Sequence, residues 1–144
     1  MVKKCLVAIV DDELDIVNLF RDALSKIKEL SIFTFTDPMI ALEHTKMNKS
    51  NYAVVISDLR MPDMNGMDLI YNIKKENPLV RTLLMTAFEV NDTVFDEYVK
   101  NNIINGFLQK PLKLKDLESE VQKQIKIYKK SRIHYLKKCD TSNI

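Results

Sequence analysis

Short, mainly apolar runs alternate with amphipathic stretches along the chain. The longest runs are Cys5–Val10, Tyr52–Ser57 and Val80–Thr86. Runs of this length between turn residues predict strands that are buried on both faces of a sheet. Shorter apolar segments at Ser31–Phe35 and Gly106–Gln109 predict two further strands. The hydrophobic pattern therefore predicts five strands.

Apolar residues at helical spacing occupy the segments between these strands. The predicted helices cover Glu13–Lys28, Met39–Met47, Gly66–Glu76, the region of Val94–Val99 and a last segment that begins at Lys113. Asp37 and Pro38 suit the N-cap and first turn of the second helix. Asn91-Asp92 is the candidate N-cap of the fourth helix. Asn101-Asn102 is its candidate exit, because Asn tolerates the left-handed conformation.

Strict alternation of strands and helices predicts an α/β fold. We expect a doubly wound, five-stranded parallel sheet with helices on both of its faces. Periodicity leaves the order of the strands open. A chain of 144 residues fits one domain with a substantial core.

Charge is distributed unevenly along the chain. Residues 121–144 hold seven Lys or Arg residues and one acid, so they carry +6. The whole chain carries +2, which leaves −4 for the first 120 residues. A mildly acidic domain therefore precedes a basic tail. This tail is a weak candidate for nucleic-acid binding, since no helix-turn-helix accompanies it and lysines spread around a helix usually serve solvation.

Several function classes are disfavoured by composition. The chain has two cysteines and two histidines, and none of them has the spacing of a metal site. Only two glycines occur, which argues against a glycine-rich phosphate loop or a dinucleotide fingerprint. The first apolar run is too short for a signal peptide, and no run approaches the ~18 residues of a membrane span. We expect a cytoplasmic protein.

Chemically active side chains stand at the predicted ends of the strands. They are Asp11, Asp12, Asp58, Thr86 and Lys110. Parallel strands end at one edge of a sheet, so these groups converge there. Three carboxylates repel one another unless a cation neutralises them, and such oxygen ligands suit Mg²⁺. A carboxylate in such a site can act as a nucleophile toward phosphorus. Each residue also has an ordinary alternative: the first two acids can cap a helix, Thr86 can be a plain strand residue and Lys110 a surface lysine.

Four motifs, in this order and spacing, resemble the receiver domain of two-component response regulators. They are Val10–Glu13, Ser57–Gly66, Met85–Ala87 and Phe107–Pro111. The resemblance runs from about Val2 to about Ile127. It implies a flavodoxin-like (βα)5 fold with strand order 2-1-3-4-5. It divides the chain into a receiver domain at residues 1–127 and a basic helical extension at residues 128–144.

The resemblance also implies roles for the acidic residues. Asp58 would be the phospho-acceptor. Mg²⁺ would be held by Asp11, Asp12, Asp58 and the backbone carbonyl of Arg60. Each of these residues matches a position of the family's motifs.

The remaining roles concern the phosphoryl group and the switch. Thr86 and Lys110 would bind the phosphoryl group, and Thr86 and Phe107 would form the switch. The family's Lys-Pro bond is usually cis, so we expect a cis bond between Lys110 and Pro111. The family often has glycine at the position of Ile103. In this chain Asn101-Asn102 would form the turn that ends helix 4.

The function implied is a phosphorylation-activated signalling switch rather than an enzyme. A sensor histidine kinase or a phosphotransfer protein would donate the phosphoryl group to Asp58 in a Mg²⁺-dependent reaction. The intrinsic chemistry would be autophosphorylation and autodephosphorylation. The face made by helix 4, strand 5 and helix 5 would change for a partner or a homodimer. Arg60 and Phe88 lie two residues after Asp58 and Thr86, at positions that in the family flank the phosphoryl group and influence its lifetime. Both side chains are bulky here, so we hypothesise that they slow the access of water and that the phosphoryl group is long-lived.

Other interpretations remain open. A Mg²⁺-dependent hydrolase of the aspartyl-phosphate type is the main alternative. Such an enzyme is expected to have a second Asp two residues after the nucleophile, where this chain has Arg60. A docking-only pseudo-receiver would lack one of the acids, the Thr or the Lys. The tail can be a solvated extension, or a linker to a further domain if this is the receiver piece of a longer regulator. It can also be a lengthened helix that pairs or docks through Ile125, Tyr128, Ile133 and Leu136.

Overall fold

The computed structural model describes residues 4–87 and 93–142. Its sheet has five strands: β1 (Cys5–Val10), β2 (Leu30–Phe35), β3 (Tyr52–Asp58), β4 (Arg81–Thr86) and β5 (Gly106–Gln109). All neighbouring pairs are parallel, and the spatial order is β2-β1-β3-β4-β5. The predicted fold class and strand order are confirmed.

Five helices connect and follow the strands. They are α1 (Leu14–Leu24), α2 (Pro38–Met47), α3 (Gly66–Glu76), α4 (Thr93–Lys100) and α5 (Leu114–Ser142). The prediction for α1 ran four residues too far, because the backbone N–H and the hydroxyl of Ser25 both donate to the Arg21 carbonyl and the chain turns there. The proposed cap of α4 at Asn91-Asp92 lies outside the described residues.

Short polar side chains set several helix ends. A carboxylate oxygen of Asp37 accepts a hydrogen bond from the Met39 N–H at 2.9 Å, as predicted for the N-cap of α2. Asn102 adopts a left-handed φ of 61° just after α4. The predicted end of α4 at Asn101-Asn102 is therefore confirmed. Asn102 supplies the left-handed residue of the turn that ends the helix, directly before Ile103.

The two faces of the sheet are covered by different helices. Val7 and Ile9 of β1 pack into the core beneath α1 and α5, whereas Ala8 and Val10 pack toward α2 and α3. All four side chains are completely buried. Successive residues of a strand point to opposite faces, so a continuous apolar run is what a sheet covered on both sides requires.

Helix α4 is held less firmly than the other helices. None of its described residues is buried, and both Val94 and Val99 are exposed. Its contacts run through Phe95 and Tyr98, and the ring of Tyr98 stacks on Tyr71 of α3 with centroids 5.6 Å apart. A helix with so little buried apolar surface costs little free energy to displace.

Helix α5 contributes to the core along its first half only. Ile125 and Tyr128 belong to the cluster beneath α1 and α5, so the prediction that they are docking contacts is wrong. Ile133 and Leu136 are exposed, as docking contacts must be. The helix continues without a break past residue 127, and the domain boundary there stays a prediction. Within the ranges described, no helix is long and apolar enough to cross a membrane.

A half-buried lysine links α3 to the beginning of β4 and the loop before β5. The Lys74 ammonium donates to the Val80 carbonyl and, at 2.8 Å, to the side-chain oxygen of Asn105. The same Asn105 oxygen accepts from the Thr82 N–H at 2.9 Å. Burial, assisted by the charge of Arg81, lowers the pKa of Lys74 to about 8.

This low pKa predicts a rise in stability with pH. Between pH ~8 and ~10 the unfolded chain holds the Lys74 proton more tightly than the folded chain does. The free energy of unfolding should therefore rise, by about 1 kcal/mol after allowance for partial solvent screening. Urea unfolding of wild type and Lys74→Met across this range measures the effect. A difference between the two proteins that does not change with pH would contradict it.

Candidate functional site

An ammonium group lies between two carboxylates at the carboxyl edge of the sheet. The Lys110 Nζ is 3.2 Å from Asp11 Oδ2 and 3.2 Å from Asp58 Oδ1. Asp11 is completely buried, and its other oxygen accepts the backbone N–H of Glu13 at 3.0 Å. Each oxygen of this buried carboxylate thus has a partner, as a buried charge requires.

A third carboxylate completes an acidic cluster. Side-chain oxygens of Asp11, Asp12 and Asp58 lie within 4.8 Å of one another. Asp12 is exposed, and Asp58 is intermediate between buried and exposed. The Lys110 ammonium pairs with two of these three carboxylates, Asp11 and Asp58. Hard carboxylate oxygens at this separation, with one side open to water, fit the ligand preferences of Mg²⁺.

Burial and charge act in opposite directions on the Asp58 carboxyl. Burial raises its pKa above the ordinary value, the nearby charge of Asp11 raises it further, and Lys110 works against both. The Leu59 N–H also donates to Asp58 Oδ1 at 3.0 Å, which favours the ionised form. For Lys110, burial disfavours the charge, but Asp11 and Asp58 outweigh it and raise its pKa. The ammonium therefore stays protonated at neutral pH.

These groups border an open pocket of about 250 Å³. Its lining residues are Asp12, Glu13, Asp58, Leu59, Arg60, Thr86, Ala87 and Lys110. Thr86, the last residue of β4, is buried in the pocket wall, and its carbonyl accepts the Lys110 N–H at 2.9 Å. The peptide bond between Lys110 and Pro111 is cis.

The structure brings almost all of the predicted site residues together. The three acids, Thr86, Lys110 and Arg60 meet at this edge of the sheet. Phe107 is not brought into the pocket. Its exposed ring packs instead on Phe95 of α4, with centroids 4.9 Å apart. Phe88, a predicted influence on phosphoryl lifetime, lies outside the described residues.

Sequence reasoning missed the steric role of Gly66. Its N–H donates to the Leu59 carbonyl at 2.8 Å, so α3 begins directly against the end of β3. A Cβ at this position would lie 2.1 Å from the carbonyl oxygen of Asp58. Gly66 is one of only two glycines in the chain, and this rarity could have identified it. Glu13 was also missed as a pocket residue, although it directly follows the two acids.

Comparison with known proteins identifies the family. A model of the response regulator receiver domain matches residues 7–122. The chain belongs to this family. A receiver domain is a signalling module and not a classical enzyme, so the family does not support the hydrolase alternative. The acidic cluster is consistent with the Mg²⁺ site of receiver domains.

Individual relatives agree with this assignment. NtrC of Escherichia coli (strain K12), a DNA-binding transcriptional regulator, is 28% identical over 127 residues, which cover 88% of this chain and 26% of NtrC. The luminescence regulatory protein LuxO of Vibrio campbellii is 29% identical over 119 residues, which cover 81% of this chain and 25% of LuxO. The chain thus spans about a quarter of the length of these curated relatives.

A solved structure agrees over nearly the whole domain. The crystal structure of a response regulator receiver domain protein from Clostridium thermocellum is similar with a TM-score of 0.75 and 25% sequence identity. The match covers 87% of this chain and 97% of that chain.

The contact beneath Asp58 predicts a large cost for Gly66→Ala. Helix propensity alone favours Ala by up to about 1 kcal/mol, but the new Cβ would displace the backbone that carries Asp58. We expect a net loss of about 2 kcal/mol or more in the free energy of unfolding, and weaker Mg²⁺ binding. Denaturant unfolding and a Mg²⁺ titration measure both effects.

Gly106→Ala is the matched control. Its Cβ would meet the ends of two side chains, Leu83 at 2.8 Å and Glu120 at 3.0 Å, rather than backbone. The buried Leu83 and the Glu120 side chain must both shift, but side-chain ends move at lower cost than backbone, so this variant should lose less stability and keep its Mg²⁺ affinity. Equal losses in the two variants would show that the backbone clash at Gly66 is unimportant.

Proposed function

We propose that this chain is a phosphorylation-controlled receiver in which Asp58 accepts a phosphoryl group from a sensor histidine kinase or a phosphotransfer protein. The observation that carries the proposal is the placement of Asp58 at a pocket, with Lys110 shared between it and the buried Asp11. A carboxylate nucleophile, a fixed cation and an acidic cluster open to solvent are the parts that phosphoryl transfer to a carboxylate needs.

The proposed transfer is an in-line displacement. A carboxylate oxygen of Asp58 attacks phosphorus, the P–N bond to the donor histidine breaks, and its electron pair stays on the imidazole nitrogen. Lys110 remains charged beside Asp58 and stabilises the phosphoryl oxygens. Mg²⁺ held by Asp11, Asp12, Asp58 and the backbone carbonyl of Arg60 would supply further positive charge to the same oxygens.

The proposed switch joins this pocket to α4 through β4 and β5. The Thr86 hydroxyl would donate a hydrogen bond to a phosphoryl oxygen and move toward it. Phe107 lies on β5, which pairs with β4 beside Thr86, and it would turn into the space that Thr86 leaves. Its contact with Phe95 would then be lost, and the weakly held α4 would be released to shift.

The remaining assignments of the proposal concern the chain as a whole. Residues 1–127 act as the receiver and residues 128–144 as a basic extension. Phosphorylation from small donors and dephosphorylation by water, both at Asp58, are its intrinsic chemistry. The partners are the phosphoryl donor and, on the α4–β5–α5 face, a second copy or an output module. A cytoplasmic location follows, because that is where we expect the kinase to present its phosphohistidine.

Intact mass after incubation with acetyl phosphate and Mg²⁺ tests the acceptor. We expect a gain of one phosphoryl group, about 80 Da, that requires both Mg²⁺ and Asp58. Asp58→Asn should remain folded and show no gain, since it keeps the size of the side chain and loses the nucleophile. Wild-type protein that binds Mg²⁺ but takes up no phosphoryl group, even from a phosphohistidine donor, would contradict the proposal.

Arg60 stands at the edge of the pocket, where its bulk should slow the approach of water to a phosphorylated Asp58. Arg60→Asn should therefore shorten the lifetime of the phosphoryl group by about threefold or more. Adding Phe88→Ala should shorten it further. The loss of the added mass with time, measured after removal of acetyl phosphate, gives the rate. Unchanged decay in both variants would exclude steric protection by these side chains.

A further inference from the structure

The second half of α5 projects past the base of the domain and presents apolar side chains there. Ile133, Tyr135 and Leu136 are all about half exposed. They line recesses of about 350, 380 and 420 Å³ between the helix and the domain. Leu136 is shared by the first two recesses and Tyr135 by the first and third, so the recesses are adjacent around the helix. We call the surface formed by Leu79, Arg132, Ile133, Tyr135 and Leu136 the basal groove.

The basal groove has walls that are held in place. On the domain side, the Asn77 side chain before Leu79 donates to the Tyr52 carbonyl at 3.1 Å. On the helix side, Tyr128 is buried in the core, and Lys129 Nζ pairs with Glu29 Oε2 at 2.6 Å. Because its walls are already held in place, the groove loses little conformational entropy when it binds a partner.

The groove lies in a strongly basic region. Residues 128–139 contain four lysines and one arginine and no acid. Lys49 on the first recess and Lys4 on the second add to this charge, whereas Glu76 on the first recess and Glu29, the ion-pair partner of Lys129, reduce it. The phosphorylation site is at the opposite, acidic edge of the sheet, so this surface is separate from it.

We propose that the basal groove binds an acidic amphipathic helix of a partner protein. Leucine-like side chains of such a helix would fill the recesses, and its carboxylates would face the surrounding lysines. A second copy of this chain is a poorer occupant, because a groove paired with itself would bring two basic segments together. A flat lipid surface would not fill recesses that have walls on both sides. A nucleic acid would pair its phosphates with the lysines but would leave the exposed apolar side chains Ile133, Tyr135 and Leu136 without contacts.

The test uses the full chain and a synthetic peptide of about 18 residues with Leu at helical spacing and Glu at the other positions. Fluorescence anisotropy should show binding that weakens as salt is raised. NMR shifts should concentrate at Leu79, Tyr135 and Leu136. A peptide with Gln in place of every Glu should bind about tenfold more weakly or worse.

Two protein variants locate the site. Leu136→Glu should weaken binding of the Glu peptide at least about tenfold. Leu19→Glu is the matched control, since Leu19 on α1 is 49% exposed and Leu136 is 50% exposed. It should bind like wild type. Equal affinity for the Glu and Gln peptides, equal loss in both variants, or NMR shifts elsewhere would each overturn the proposal.

Two further measurements distinguish the other occupants. A dimer seen by analytical ultracentrifugation and abolished by Leu136→Glu would overturn the proposal in favour of a second copy. Co-sedimentation with phosphatidylcholine–phosphatidylglycerol vesicles, in a molar ratio of about three to one, that displaces the peptide would overturn it in favour of an anionic lipid surface. We expect a monomer that binds the Glu peptide and does not co-sediment with these vesicles.

Discussion

The shared ion pair of Lys110 with Asp11 and Asp58 is the interaction on which the candidate site depends. Asp11 follows β1, Asp58 ends β3 and Lys110 follows β5, so one ammonium joins the neighbouring strands β1 and β3 to β5, which lies beyond β4 in the sheet. A completely buried carboxylate is tolerated only with such a partner, and loss of one member of a buried pair typically costs about 3–5 kcal/mol. The pair therefore holds Asp58 in place and also tunes its charge.

Local structure and site chemistry are coupled most tightly where β3 meets α3. The Asp58 carbonyl lies so close to Gly66 that no side chain fits between them, while the Asp58 side chain faces the pocket. Turn residues between the two elements permit this approach, and Asn65 caps α3 by accepting the Asp68 N–H at 2.9 Å. The position of Asp58 is thus fixed from both sides, by a strand on one side and the beginning of a helix on the other.

Periodicity predicts most of the elements and the convergence of the site residues, because the carboxyl ends of parallel strands meet at one edge. It cannot predict strand order, since a strand buried on both faces gives no information about its neighbours. It also cannot separate core from surface on α5, where Ile125 and Leu136 belong to similar apolar patterns but differ completely in burial. The end of α1 was missed for a related reason: Ile27 continues the apolar pattern and packs on the core from outside the helix.

The distribution of burial agrees with the proposed switch, because α4 buries the fewest residues of the helices and costs the least free energy to move. Most of the sheet is close-packed and resists displacement, whereas α4 has no buried residue and is tied by two aromatic contacts, Phe95 with Phe107 and Tyr98 with Tyr71. Aromatic pairs contribute about 0.5–1.5 kcal/mol each beyond their buried area. Phe95 and Tyr98 also pack on the cluster of Met67, Ile70, Leu84 and Ile104, so loss of the Phe95–Phe107 contact would weaken the attachment of α4 without abolishing it. The same shift in a helix such as α3, with five buried residues, would cost far more.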